Sequence, residues 1–503
     1  MFAMRVTILL FILFPLSGFA QSDTLKTFVM KPQLLQQDFA YFRLLLEQTH
    51  PGLYRYTSVE KMQRKLDSIQ QLLVKPLPFY DFYKTILSVV ADIRCSHTHA
   101  LPRDAGSYMS MIKLLPFFVY PAEDKLIVLF NGSTDPNVTL GYQLLKINGH
   151  SVDSISKIIK RYYWSDGAIE LAKNNALQGG PFSLFYYMLI EQPEKFDLVF
   201  LDREGKTYQT TVAAQPNREA QRLYARAPIN KAANQFYNKR NKNPWRLSFV
   251  KDLPGTAYLR FDGFGGKGMH DGDKARAGMQ KFMNESLQKL QSKKIRALIV
   301  DVRSNGGGWD NQGVELFSYL MKQDTGVLYY KKLHAITDSS TFLAYSDLPE
   351  QDRRRIKSEL RKEQDGTFTL RPEYNPDLLP IAPKPNRFRG DVYILSNEHS
   401  FSTTSEFLAA CKTYRVGTIV GTEAGGAYGG GNGSSFISLS LPNSKILVGS
   451  PLVYYQNAIS DVQPPDRGAL PDYEVPIKAK DLLTDYDRQL DFVKELIRKK
   501  TTK

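Results

Sequence analysis

The strongest constraint on this chain is an apolar run that stops in a cluster of glycines. Ile295 to Val302 is almost uninterrupted by polar residues, and the segment closes as Asp301-Val302-Arg303-Ser304-Asn305-Gly306-Gly307-Gly308. A strand without polar alternation has to be buried on both faces, which points to a parallel sheet covered by helices. Further along, Asp391-Val392-Tyr393-Ile394-Leu395 repeats the pattern and is followed by His399-Ser400-Phe401-Ser402-Thr403-Thr404-Ser405-Glu406-Phe407. The first turn offers backbone N–H groups, and the second offers hydroxyls at a helix start. Those are the oxyanion donors and the nucleophile of a serine acyl-transfer site. Each turn alone has a plainer use. Ser and Thr at a strand-to-helix junction serve as N-caps, and a glycine turn is a flexible connection. The glycines do not have the spacing of a phosphate loop or a dinucleotide fingerprint.

The surrounding pattern sets the organisation. Residues 21–110 read as helical, with Leu34, Leu35, Phe39, Phe42, Leu45 and Leu46 at three- and four-residue spacing and a break at Pro51-Gly52. Residues 111–215 carry strand-like runs such as Pro116 to Tyr120 and Lys125 to Leu129, an Asn148-Gly149 turn and an amphipathic stretch from Val152 to Tyr162. Residues 216–244 are polar and basic and read as a linker. From residue 245 to 480, strands alternate with helices, as crossover-connected parallel strands require. Within that span, residues 322–390 form a long insertion with a charged helix around Gln351 to Lys362. Residues 481–503 end in an amphipathic helix. A chain of 503 residues exceeds one core, so the expected class is multi-domain α/β.

Composition narrows the setting. Residues 1–20 hold Arg5, the apolar run Ile8 to Phe14 and the small-residue end Ser17-Gly18-Phe19-Ala20, the three parts of a secretory signal peptide. That run is too short to span a bilayer, and no later segment is apolar enough to do so. The expectation is a periplasmic or secreted protein without stable membrane insertion. The net charge is +15, but the basic residues are scattered apart from short runs such as Arg353-Arg354-Arg355. With export, this argues for a solvated basic surface and against nucleic acid. Cys95 and Cys411 are the two cysteines. Export permits a disulfide between them, and sequence leaves that pairing open against two free thiols. His97 and His99 in Cys95-Ser96-His97-Thr98-His99 could hold a metal at i, i+2, but no carboxylate partner stands at fixed spacing, so no metal and no cofactor are expected.

Taken jointly, these turns resemble the tail-specific, or C-terminal processing, serine peptidases and their tricorn-like branch. The family's Asp-x-Arg-x-Asn-x-Gly-Gly strand end matches Asp301 to Gly308, and its Gly-x-x-Pro-Asp ending matches Gly468-Ala469-Leu470-Pro471-Asp472. The resemblance implies a ClpP/crotonase-like core and a PDZ-like insert around Gly141 to Gly149. Aligning the whole nucleophile stretch to Gly421 puts the nucleophile on Ser402, whereas aligning only Ser405-Glu406 would put it on Thr403. The Ser–Lys branch carries a lysine shortly after the Gly421 position. Here Gly421-Thr422-Glu423-Ala424-Gly425-Gly426-Ala427 has none. The resemblance to the tricorn-like branch therefore assigns His97 as general base and Ser96 as its supporting hydroxyl. Asp466 is the candidate acid, with His399 and Glu423 as alternatives. Gly307 and Thr403 N–H would form the oxyanion hole. The implied function is an exported serine endopeptidase acting on peptides or unfolded proteins. The alternative is a peptide-binding protein that keeps the fold without hydrolysis, and a zinc hydrolase through His97 and His99 is more distant.

Overall fold

The computed structural model describes residues 24–102, 108, 112–237, 243–265 and 271–501. The segment read as a signal peptide lies outside them. Secondary structure is mixed, with helices and several sheets, and the chain is a multi-domain α/β protein.

The N-terminal part is built on helices Pro32–Thr49, Val59–Leu72 and Phe79–Ile93. Their apolar stripes, including Phe39, Phe42, Phe82 and Ile86, are buried, and their burial supplies most of what holds short helices together in water. Next comes an antiparallel sheet. Its strands run in the order Thr207–Ala213, Lys195–Leu201, Gln143–Ile147, Lys125–Asn131 and Phe117–Ala122. Helices Val152–Tyr162 and Gly179–Leu189 accompany it. The stretch that composition reads as a linker contains helices Asn217–Arg226 and Lys231–Tyr237. They are tied down by Asn230, whose side chain exchanges two hydrogen bonds with the Asn131 backbone. A polar composition does not prevent order when backbone groups find such partners.

The C-terminal half holds two sheets. In the first, strands Trp245–Phe249, Thr256–Phe261, Ala297–Asp301, Asp391–Ser396, Thr418–Gly421 and Tyr473–Glu474 lie in that order, antiparallel only at the first pair. Ala297–Asp301 is buried at every position, as its unbroken apolar sequence requires. Helices Gly272–Ser292, Asp310–Ser318 and Thr403–Thr413 follow the strands, and Arg488–Thr501 packs on the same sheet. The insertion is not a free arm. Its strands Tyr330–Ala335, Leu360–Lys362 and Phe368–Leu370 join Asn432–Ser440 and Ile446–Asn457 in the second sheet.

One short strand joins the two halves. His99–Pro102, just after the last N-terminal helix, pairs antiparallel with Ile446–Asn457, setting His99 against Gly449. The buried Asp38 carboxylate adds a second tie by accepting from the backbone N–H groups of Asn443 (2.8 Å) and Ser444 (2.7 Å). These two ties bring residues near position 97 against the C-terminal half. Cys95 and Cys411 are both free and buried. Among the described residues no helix is long and apolar enough to cross a membrane, and no cluster of side chains could hold a metal ion.

Candidate active site

The two turns singled out in the sequence are laced together. Phe401 N–H donates to the Asn305 carbonyl (3.0 Å), Ser400 Oγ donates to the Val302 carbonyl (2.9 Å), and Ser304 N–H donates to Asn397 Oδ1 (2.8 Å). Beneath them lies a buried ionic network. Arg303 reaches both Asp301 oxygens (3.0 and 2.6 Å), both Asp487 oxygens (2.8 Å each) and Gln489 (3.0 Å). Arg260 adds a contact to Asp301 at 2.6 Å. Burial opposes the ionisation of Asp301, but Arg260 and Arg303 together hold its carboxyl well below the usual carboxylate range. The Asp-x-Arg spacing thus fixes the strand end to the C-terminal helix, and the glycines begin from a rigid point.

Ser402 stands at the junction before helix Thr403–Thr413 with φ 56° and ψ −131°. A non-glycine residue at positive φ is uncommon and strained, and such strain concentrates at functional sites. Gly307 (φ 97°) lies directly against it. A Cβ there would sit 2.7 Å from Ser402 Cβ and 3.1 Å from Thr403 N. Gly308 (φ 139°) is as constrained, since a Cβ would fall 1.5 Å from the Phe264 carbonyl oxygen. Gly307 N–H donates to Asn305 Oδ1 at 3.0 Å. Among the described residues, the N–H groups of Gly308 and Thr403 have no protein acceptor. The Thr403 hydroxyl is engaged, donating to the Gly308 carbonyl at 3.0 Å.

His97 lines the same cavity as Ser402 and Thr403. Its ring stacks on Phe401, the residue before Ser402, with centroids 4.6 Å apart, and on Phe436 at 5.6 Å. Nδ1 is buried without a hydrogen-bond partner. Burial, with a smaller contribution from His99, depresses the imidazole to about 4, so the ring is neutral at ordinary pH. No hydrogen bond joins His97 to Ser402 among the described residues, a looseness common before substrate tightens a site. Ser96, the residue before His97, is held by a carboxylate that sequence reading missed. Asp166 accepts from Ser96 N–H at 2.6 Å, and it also lines the cavity. Its only local signal is an Asp166-Gly167 turn.

The other candidates lie elsewhere. Asp466 does not line the cavity; its carbonyl accepts from Ala168 N–H at 2.8 Å and so braces the loop that carries Asp166. Glu423 is clamped by Arg467 (2.8 and 2.7 Å) and by Gly468 N–H. His399 lies 3.8 Å from its neighbour Glu398. The terminal Pro-Asp also has a structural use, because Asp472 accepts from Ile419 N–H and from Lys412, both at 2.8 Å.

Residues 255–475 match Peptidase family S41. In fold the chain is similar to the structure of mature CPAF complexed with lactacystin, at 17% identity and a TM-score of 0.60, covering 93% of this chain and 98% of that one. It is similar to mature CPAF at 17% identity and a TM-score of 0.58, covering 93% and 97%. No curated protein is significantly similar in sequence.

Proposed function

The chain belongs to peptidase family S41 through residues 255–475, and from that premise we propose that it is an exported serine endopeptidase working through Ser402 and His97. The observation that carries this reading is one cavity. It brings a strained serine at a helix start together with a neutral imidazole supplied by a distant part of the chain. In the proposed reaction Ser402 Oγ attacks the scissile carbonyl and His97 takes its proton. The N–H groups of Thr403 and Gly308 receive the oxyanion, while Gly307, expected from sequence as a donor, gives its N–H to Asn305. His97 then returns the proton to the leaving amine, and water releases the acyl group from Ser402 by the reverse sequence.

Ser96 and Asp166 act as positioning groups. Asp166 accepts from Ser96 N–H and so fixes the backbone just before His97. Asp466 contributes through its backbone. The antiparallel module of residues 111–215, which resembles a PDZ-like insert, would present substrate tails to the site by strand addition, favouring C-terminal segments of peptides or unfolded proteins. The leader-like residues 1–20 support export.

A fluorophosphonate probe tests the nucleophile. Wild type should be labelled at Ser402, and labelling should vanish on denaturation and in Ser402→Ala. His97→Ala should slow labelling by at least 100-fold while leaving the melting temperature nearly unchanged. An unlabelled wild type would leave the non-catalytic peptide-binding reading in place instead.

A further inference from the structure

His97 is stacked on two phenyl rings that reach it from different parts of the chain. Phe401 belongs to the nucleophile turn, and Phe436 belongs to strand Asn432–Ser440 of the second sheet. Phe436 also lines the cavity that holds Ser402. Its place in that strand depends on a bulge. Gly433 pairs with Val453 and Phe436 with Pro451, so three steps along one strand match two along its neighbour. Within the bulge, Ser434 has φ 67°, a costly conformation for a residue other than glycine. A bulge re-aims the side chains around it, and the ring that follows this one stacks on His97.

The backbone of Phe436 is held from outside its strand pair. Asp347, in the long insertion of residues 322–390, donates its N–H to the Phe436 carbonyl (2.9 Å) and accepts from Phe436 N–H through Oδ1 (2.9 Å). Beside it, Ser346 bridges to Ile437. One exposed residue therefore satisfies both backbone groups of Phe436. The segment leading to Asp347 is itself anchored. Phe342 and Leu343 are buried in the N-terminal core, Phe342 lies against Tyr41 with centroids 5.3 Å apart, and Ser340 Oγ donates to Gln48 Oε1 at 3.0 Å.

We propose that Phe436 is a positioning residue for the general base, and that the insertion acts on catalysis by clamping Phe436 against His97 through Asp347. This rests on the assignment of His97 as base. His97 Nδ1 has no hydrogen-bond partner, so the ring lacks the carboxylate that orients the base of a Ser-His-Asp triad. Stacking on Phe401 and Phe436 supplies the orientation instead. A base displaced by about 1 Å can lose about 100-fold in rate. The same rings keep water from the imidazole, so opening one side should raise its ionisation from about 4 toward the ordinary value of about 6.5. The titratable groups around it are His99, two residues on, and Asp166, Asp310 and Glu406 in the cavity lining. All of them stay in place in the variants below, so a moved acid limb reports the lost cover.

The experiment uses the full chain and follows Ser402 labelling by the fluorophosphonate over a range of probe concentrations from pH 3.5 to 8. Phe436→Ala should lower the maximal labelling rate about 10- to 100-fold, with the half-saturating probe concentration changed less than about threefold. It should also move the acid limb of that rate up by about one pH unit or more. Phe436→Tyr, which keeps the ring, should stay near wild type in both. Asp347→Ala should move the limb in the same direction and slow labelling about three- to tenfold. Asp347→Asn, which keeps the Oδ1 acceptor, should recover both. If Phe436→Ala has no melting transition, the exposed Asp347 pair decides alone. A labelled wild type with rate and limb unmoved in Phe436→Ala, or Asp347→Asn no better than Asp347→Ala, overturns the clamp and leaves the peptidase reading standing. An unlabelled wild type overturns the peptidase reading and the clamp together.

Discussion

Replacing Arg303 by Met tests the claim that a buried ionic network sets the glycine turn. The Arg303 side chain is 5% exposed, and its partners Asp301 and Asp487 are 0% and 5% exposed. Removing one member of a buried pair costs about 3–5 kcal/mol, because a charge is left without compensation. Here the lower end applies. Asp301 keeps Arg260 at 2.6 Å, and Asp487 keeps Leu490 N–H at 3.0 Å. A loss of about 3 kcal/mol is expected at pH 7, which in a domain of 150–250 residues lowers the melting temperature by roughly 6–12 °C. Calorimetry at pH 7 and pH 4 separates this from a simple packing loss. In wild type Asp301 titrates far below its unfolded value, so its contribution is complete above about pH 4 and declines only at lower pH. In the variant, Asp301 has lost one of the two cations that hold its proton off and takes up a proton at higher pH than in wild type, so the gap to wild type should narrow toward pH 4. Arg303→Lys should recover only part of the loss, since an ammonium cannot form the planar fork. A gap under about 1 kcal/mol at pH 7, or a gap that widens on acidification, would refute the reasoning.

Other outcomes follow from the same geometry. Gly307→Ala places a methyl 2.7 Å from Ser402 Cβ and should lower kcat at least 100-fold, with Ser402 labelling slowed in parallel. Gly308→Ala collides with the Phe264 carbonyl at 1.5 Å and should cost both activity and several degrees of melting temperature. With neutral substrates the acid limb of kcat/KM should lie near pH 4 rather than near 6.5, because burial holds His97 neutral down to about 4; a limb at 6.5 would mean that the ring is solvated. Asp166→Asn should reduce kcat by about 10- to 100-fold with little change in KM, since its carboxylate holds the Ser96 N–H next to His97.

Much of this molecule is visible in local sequence. The unbroken apolar run of Ala297–Asp301 announced a strand buried on both faces. The helical spacing of Phe39, Phe42 and Leu46 announced an inward stripe, and Ser402 and the glycines stood where strand gives way to helix. Such features are legible because each depends on a few neighbouring residues. Asp166 was not singled out, because a lone carboxylate on a loop looks the same whether it faces solvent or a cavity. Asn305 was read only as part of a motif. Its engagement of the Gly307 N–H depends on how the turn closes, and no residue type announces that.

The sequence by itself determined the repertoire: which strands must be buried, where the chain must turn through glycine, and which hydroxyl and imidazole were available for chemistry. The tertiary structure alone decided which of them meet. His97 and Ser402 line one cavity because His99–Pro102 pairs with Ile446–Asn457 and because Asp38 caps the loop at Asn443 and Ser444. The physical reason is range. Strand and helix periodicity record interactions over a few residues, whereas pairing across distant segments is set by burial and register summed over the whole fold, which no local pattern encodes.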